Sequence, residues 1–136
     1  MIRHGRGRIN GFTLLELMIV VTVIGILSFA AIPNFQRAIE QGHWRSANDV
    51  LHTIYSGEQV YRTANPTYLD PAACAPPWRC IYMDDPNGVL PVAFTVVAGT
   101  NTFTVTATRN GGPCNGLTET IDENRTIGGA WPPNGC

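Results

Sequence analysis

A chain of 136 residues, 44% of them hydrophobic, has room for one modest folded domain beside a long apolar segment, but not for a large catalytic cleft. Its nine basic residues are all arginine and are scattered, without the basic stripe that phosphate binding requires, which argues against specific nucleic-acid recognition. The formal net charge of −1 would become mildly acidic if the first eleven residues, which carry three of the nine arginines, were removed.

An apolar helix is the first predicted element. From Leu17 to Gln36 the sequence has no formally charged residue. A helix of about 20 residues, rising ~1.5 Å per residue, is long enough to cross a bilayer. The arginines that precede this run predict, by the positive-inside tendency, a cytoplasmic leader and an exported remainder; they are Arg3, Arg6 and Arg8.

Glu16 is a carboxylate at the head of this apolar run. A charged side chain in the apolar core of a bilayer costs on the order of 2.5–3.5 kcal/mol and is usually paired. Cleavage between Gly11 and Phe12 would create a cation, an α-amino group, just ahead of Glu16. Within one helix the two groups are poorly placed to pair, whereas the amine of an axially shifted neighbour can reach the carboxylate. The sequence therefore favours pairing between subunits.

The segment from Gly11 to Glu16, with a basic leader before it and an apolar helix after it, resembles the prepilin signature of type IV pilins and type II secretion pseudopilins. Gly25 and Pro33 also fall where that family commonly has a helix glycine and a helix proline. The resemblance implies cleavage after Gly11 by a membrane prepilin peptidase and N-methylation of the new Phe12 amine. It also implies packing of the helices into a filament core, with Glu16 facing a neighbour's N-terminus.

Location and partners are implied by the same resemblance. The precursor would be a single-pass protein of the bacterial inner membrane, with residues 1–11 as a cleaved leader, 12–33 as the membrane and filament-core helix and 34–136 as an exported head. Its partners would be further copies or related pilins and the inner-membrane assembly platform. The product would be an extracellular pilus for adhesion, motility or DNA uptake, or alternatively a periplasmic pseudopilus for protein secretion.

Two interpretations without assembly remain open. Ser28-Phe29-Ala30 fits the small-x-small pattern of an ordinary signal peptidase site, which would release a secreted soluble domain near Ala30. A permanent single-span anchor is the other interpretation.

An amphipathic stretch continues the predicted helix. Apolar residues recur at spacings of three and four from Phe35 to Tyr61, which is typical of one buried helical face. We therefore predict one helix from about Phe12 to about Thr63. Asn65-Pro66 would end it, because proline disfavours helical conformation in the residue before it.

The first half of this helix contains two residues that disfavour regular helix, and the second half contains several charged residues. Gly25 and Pro33 favour a kink or a melted turn between them, since proline removes a backbone donor and glycine lowers helix propensity. In the second half, we expect the charged residues to face solvent, opposite the apolar face. They include Glu40 and Glu58, together with Arg37, Arg45, Asp49 and Arg62.

The four cysteines indicate disulfides, because an exported small domain folds in an oxidising compartment and gains from cross-links. Of the three possible connectivities we favour Cys74 with Cys80 and Cys114 with Cys136, since each pair encloses a Pro- or Gly-rich loop with no apolar pattern to hold it. Zinc binding is disfavoured, because the spacings lack paired C-x2-C geometry and no histidine accompanies them.

A proline-rich connector covers residues 65–91 and contains the run from Asp84 to Gly88. Asp84 with Asp85 could be read as calcium ligands, as in a loop of some related pseudopilins. A turn is the favoured interpretation, because an Asp-Pro-Asn-Gly run far more often forms one.

The sequence then alternates with the period of β-strands. Val92–Ala98 and Thr102–Thr108 predict two strands joined by a hairpin at Gly99-Thr100-Asn101. A third strand is expected around Leu117–Asp122 and a short fourth near Arg125–Ile127. The amphipathic half of the helix would cover this antiparallel sheet, which gives an α+β, type IV pilin-like fold.

The tail has almost no potential for regular structure. A bond from Cys136 back to Cys114 would pin it as a disulfide-bounded C-terminal loop, which the resemblance implies is usual in pilins. Trp131 is expected to pack under this loop rather than stand exposed.

Enzymatic chemistry is not predicted. The sequence contains no nucleophile elbow, phosphate loop, dinucleotide fingerprint or His-Glu-x-x-His motif. We therefore expect no catalytic residue, no metal site and no cofactor.

Overall fold

The computed structural model describes residues 11–136, so the leader predicted over residues 1–11 lies, apart from Gly11, outside the described residues. The chain divides into two compact units, one ending at Phe35 and one spanning Gln36–Cys136, which we call the N-terminal unit and the head unit. Its regular elements are the helix α1 (Leu14–Ala64), two short 3-10 helices (Pro71–Ala73 and Arg79–Ile81) and the strands β1 (Val92–Ala98), β2 (Phe103–Arg109), β3 (Thr118–Asp122) and β4 (Ile127–Gly129).

The N-terminal unit contains the apolar part of α1. Thr13 caps the helix, because its carbonyl accepts a hydrogen bond from the Leu17 amide (3.2 Å) and its Oγ1 accepts one from the Glu16 amide (3.2 Å). α1 is helical through both Gly25 and Pro33, so the single chain has no melted turn between them. Among the described residues, α1 is the helix long and apolar enough to cross a membrane.

The sheet of the head unit is antiparallel, with its strands in chain order from β1 to β4. Val96 lies opposite Val105, and Val105 lies opposite Ile121, so apolar side chains form a row across three strands. Alternation places the other side chains of these strands, many of them threonines, on the opposite face. β1 has the predicted bounds, and β2 is shifted by one residue from its prediction.

Apolar packing between α1 and the sheet forms the core. Ala47, Leu51 and Ile54 are buried on one face of the helix, which confirms the predicted face for this part of α1, whereas Phe35 and Ile39, which the prediction placed on the same face, are 68% and 42% exposed. The connector contributes Trp78 and Ile81 to the same core, and the tail contributes Trp131.

One sequence expectation for α1 is wrong. Glu40 and Glu58, which we expected on the solvent-facing side, are 2% and 0% exposed. They belong to the buried stripe of α1, whose members recur at helical spacing: Glu40, Ala47, Leu51, Ile54 and Glu58. The prediction sorted residues by polarity, whereas angular position on the helix decides which side chains face the sheet.

The last strand also differs from its prediction. β4 begins at Ile127 instead of near Arg125. Asp122 Oδ1 accepts hydrogen bonds from the amides of Asn124 (3.0 Å) and Thr126 (2.7 Å), and Arg125 has a φ of 64°. This tight, side-chain-stabilised turn occupies the residues that the prediction had given to the strand.

Candidate assembly site

The segment around the predicted cleavage point is non-helical and exposed. Gly11, Phe12 and Thr13 precede α1 in non-helical conformation, and Glu16 lies in the first turn of the helix. The Phe12 ring is 74% exposed. Gly11, Phe12 and Glu16 are therefore all accessible at one end of the helix.

Apolar side chains continue this exposed surface along the N-terminal unit. Each large hydrophobic residue that the structure describes from Leu14 to Phe35 is exposed, with values between 45% and 86%. A soluble monomer rarely leaves so large a continuous apolar surface bare. This part of α1 requires lipid or other helices around it.

Glu16 has a local role as well as the inferred one. Thr13 and Glu16 have the spacing of a capping box, in which the third helical residue is Glu or Gln, and the Glu16 amide donates to Thr13 Oγ1. A carboxylate in the first helical turn also interacts favourably with the helix dipole, by typically 0.3–1 kcal/mol. That gain is smaller than the 2.5–3.5 kcal/mol cost of placing a charge in an apolar core, so local capping does not replace a positive partner.

The cysteines form two disulfides within the head unit. Cys74 is joined to Cys80 across a short loop of the connector, with their Cα atoms 6.1 Å apart. Cys114 is joined to Cys136, with their Cα atoms 5.4 Å apart. The second bond ties the tail to the loop between β2 and β3, and it encloses β3 and β4.

The acidic pair of the connector is engaged in other contacts. Asp84 Oδ1 lies 2.6 Å from Arg79 Nη2, and Asp85 Oδ1 accepts hydrogen bonds from the amide and the side chain of Asn87. Across residues 11–136, no group of three or more His, Cys, Asp or Glu side chains could hold a metal ion. The geometry agrees with a turn.

An ion pair lies in the interior of the head unit. Arg109 donates from Nε to Glu40 Oε2 (2.9 Å) and from Nη2 to Glu40 Oε1 (2.7 Å). The two side chains are only 5% and 3% exposed. These hydrogen bonds lower the pKa of Glu40, against the opposing effect of its burial.

Two other carboxyl groups are buried without a cation. Glu58 Oε2 accepts one hydrogen bond, from the Leu69 amide (3.3 Å), and burial raises the pKa of Glu58 to about 7. Glu119 Oε1 accepts from Asn48 Nδ2 (3.2 Å), and burial likewise raises the pKa of Glu119. The other oxygen of Glu58 is buried without a hydrogen-bond partner, whereas the Trp44 side chain is a second group that lowers the pKa of Glu119 against the effect of burial.

Sequence reasoning missed these buried carboxyl groups and Arg109, although the sequence carried a signal for each of them. Glu40 and Glu58 are eighteen residues apart, which is five full helical turns, and both are in phase with Leu51. For Glu119 and Arg109, strand alternation placed each in line with buried apolar neighbours of the same strand. The capping box at Thr13 could also have been read from the sequence.

Comparison with known proteins gives two matches. Residues 6–32 match the family model described as the prokaryotic N-terminal methylation motif. The chain is also 40% identical over 63 residues to the type IV major pilin protein PilA of Myxococcus xanthus (strain DK1622). This stretch covers 46% of the chain and 29% of that relative, so the chain spans under a third of the relative's length. No solved structure matches.

Proposed function

We propose that this chain, which belongs to the type IV pilin family, is a pilin or minor pilin that is processed after Gly11, methylated at Phe12 and polymerised through its N-terminal helix. One observation carries this proposal: the apolar part of α1 is uncovered along its whole length and carries Glu16 in its first turn. The precursor would wait in the inner membrane with its leader in the cytoplasm, and the filament would grow from there.

A polar interaction is needed to explain why the apolar helix would move from the lipid into a filament core in one particular register. Lipid tails are as apolar as Leu or Ile, so burying apolar helix surface against a neighbour hardly favours the filament over the membrane. A carboxylate with no partner costs on the order of 2.5–3.5 kcal/mol in either surrounding, and the Phe12 amine of an axially shifted neighbour removes that cost. Pairing with Glu16 would therefore select the register between subunits.

The variant Glu16→Gln tests this role. Glutamine is accepted at that position of a capping box, so the variant keeps the cap and loses the charge. We expect a folded subunit in the membrane and a loss of filaments of about a hundredfold, the ratio that roughly 3 kcal/mol represents. Electron microscopy and immunoblots of the sheared surface fraction would measure it.

Thr13→Ala is the matched control. It removes the capping oxygen seen at 3.2 Å from the Glu16 amide and keeps the charge. We expect filaments from this variant, at a cost of about 1 kcal/mol in helix stability. If Thr13→Ala abolished filaments while Glu16→Gln formed them, Glu16 would act through the cap and the proposed pairing would be wrong.

Mass spectrometry of the mature N-terminus tests the processing steps. A chain that begins with N-methylated Phe12 supports the proposal. A chain that begins near Ala31 would show instead that an ordinary signal peptidase releases a secreted domain.

The Cys114–Cys136 loop supports a pilus in preference to a pseudopilus. Such a loop is usual in the pilins that this sequence resembles, whereas a calcium-dependent loop would favour a pseudopilin. The two assignments differ in a deletion strain: loss of surface filaments supports the pilin, and a defect in protein secretion with normal filaments would overturn it.

A further inference from the structure

The first turns of α1 in the head unit are held differently from the rest of the helix. Between Gln36 and Ser46, Glu40 is the single buried side chain. Ala47 is the first buried apolar residue of α1, and Trp44 is only partly buried beside the core. A polar contact, rather than apolar packing, therefore fixes the start of this stretch.

That contact is the ion pair with Arg109, the last residue of β2. Both carboxylate oxygens of Glu40 accept from the guanidinium, in the bidentate geometry that makes such pairs strong and directional. The third nitrogen, Nη1, donates to the carbonyls of Pro91 (2.9 Å) and Asn110 (2.5 Å). Arg109 is thus fixed by the carbonyl of the residue before β1 and that of the residue after β2, and it holds α1 through Glu40.

The loop after β2 covers this pair from one side. A Cβ atom added to Gly112 would lie 2.5 Å from Glu40 Oε1 and 2.9 Å from Arg109 Nη2. Gly112 therefore lies directly on the ion pair, which would have to shift to make room for a side chain there. Cys114, two residues further on, is fully buried.

The tail also contacts these turns of the helix. Gln41 Nε2 donates to the Asn134 carbonyl at 3.1 Å. A Cβ atom added to Gly135 would lie 3.0 Å from the Arg37 carbonyl oxygen. The next residue, Cys136, is bonded to Cys114, so one disulfide holds both coverings together.

We propose that the β2–β3 loop and the tail, joined by the Cys114–Cys136 disulfide, form a lid that excludes water from the Glu40–Arg109 ion pair, and that closing this disulfide fixes the first head-unit turns of α1. With the lid open, water would solvate both charges and weaken their attraction, and no buried apolar residue holds this stretch in place. The device does not depend on filament formation.

Closure is a thiol–disulfide exchange. The two cysteine thiols lose two electrons and two protons to a disulfide of an oxidising protein in the export compartment, which leaves as a dithiol. Reduction by a dithiol reverses the reaction and opens the lid. Oxidation state would thereby control how firmly one helical segment is held.

Hydrogen exchange in the full chain, solubilised in detergent, tests the proposal. The double variant Cys114→Ser/Cys136→Ser opens the lid, and Cys74→Ser/Cys80→Ser is the matched control that removes the other disulfide. We expect amide exchange over residues 37–46 to rise about tenfold or more beyond the change over residues 50–58 in the first variant and not in the second, because losing a disulfide lowers the stability of the whole head unit, while opening the lid adds a local effect.

Repeating the experiment in a chain without the ion pair distinguishes the effect of the pair from the constraint that the disulfide itself places on the loop. In Glu40→Leu/Arg109→Met the contact is apolar, so opening the lid should raise exchange over residues 37–46 by less than about threefold beyond the change over residues 50–58. An equal local rise in both backgrounds, no rise over residues 37–46, or a rise over residues 50–58 as large as that over residues 37–46 would each overturn the proposal.

The Glu40 carboxyl gives a readout that does not need the apolar background. In the chain with its natural Glu40 and Arg109, removing the Cys114–Cys136 bond should raise the pKa of Glu40 towards its ordinary value of 4.5. Titration of the 13C-labelled carboxyl by NMR would measure this. A pKa that stayed where it is in the closed chain would also overturn the proposal.

Discussion

Glu58 gives the sharpest test of the head unit, because its carboxyl group is buried without a cation. The side chain is 0% exposed, one oxygen accepts the Leu69 amide, and the other has no partner. Burial raises the pKa of Glu58 to about 7, the negative charge of Asp70 adds to this, and the hydrogen bond from Leu69 opposes it. Replacing Glu58 by glutamine keeps the shape and an acceptor for Leu69 but removes the titration.

The size and sign of the effect follow from linkage. A rise in pKa from 4.5 to about 7 corresponds to roughly 3 kcal/mol between the protonated and ionised folded states. Between these pH values the folded chain keeps a proton that the unfolded chain has released, so the free energy of unfolding falls as the pH rises. The loss is complete above about pH 7, whereas Glu58→Gln has no such loss. At pH 8 the variant should be more stable than the unchanged chain by up to about 3 kcal/mol, and at pH 4.5 the difference should be small.

The assay is urea unfolding of the full chain in detergent between pH 4.5 and pH 8, followed by tryptophan fluorescence. All three tryptophans belong to the head unit, so the signal reports its unfolding; they are Trp44, Trp78 and Trp131. Taking the difference between variant and unchanged chain cancels other titrating groups, including Glu119. Asp49→Asn, which removes an exposed carboxyl from the same helix, is the control. If the stabilities of Glu58→Gln and the unchanged chain differed by the same amount at every pH, the reasoning about burial would be refuted.

Two further predictions concern packing and pairing in the head unit. Gly57→Ala should destabilise it by about 1–3 kcal/mol, because the new Cβ would lie 2.8 Å from the Ile81 carbonyl oxygen; Gly42→Ala, where nothing lies within 4 Å, should stabilise it by up to about 1 kcal/mol. Thermal unfolding of the two variants would compare them, and equal melting temperatures would contradict the close approach at Gly57. Arg109→Met should destabilise by roughly 3–5 kcal/mol, since it leaves the Glu40 carboxylate buried and unpaired, while the added substitution Glu40→Leu should recover most of that loss. A double variant no more stable than the single one would argue against an unpaired charge as the cause.

Periodicity in the sequence was enough to predict the main elements of the fold. The alternation of Val92, Phe94 and Val96 gave β1 its bounds, and the spacing of Leu51 and Ile54 identified the helical face that packs on the sheet. These signals are strong because the same buried face selects apolar residues at every second position of a strand, or at every third to fourth position of a helix, so several residues report one element.

Contacts between distant parts of the chain could not be read in the same way. Glu40 and Arg109 are 69 residues apart, and nothing local in either neighbourhood requires the other. Their burial depends on the fold that brings α1, the end of β2 and the tail together, and a residue's polarity gives the wrong answer when a partner is supplied from elsewhere. Arg125 shows the reverse case, where a local turn, set by Asp122, overrides weak strand propensity.

Three glutamates of α1 lie in apolar surroundings, and the negative charge of each is accommodated in a different way. Glu40 has a guanidinium from its own chain, which keeps it ionised. Glu58 has one backbone amide and no cation, so it retains a proton up to near-neutral pH. Glu16 has a cap for its amide but no cation within the described part of its own chain, and it lies on a helix segment that is bare of partners. A charge that the fold leaves unpaired must be neutralised, hydrated or paired from outside, and the surface around Glu16 is apolar. Pairing from outside is the resolution that we propose for Glu16, and it also accounts for the uncovered helix; replacing Glu16 should therefore affect assembly and leave the stability of the head unit unchanged.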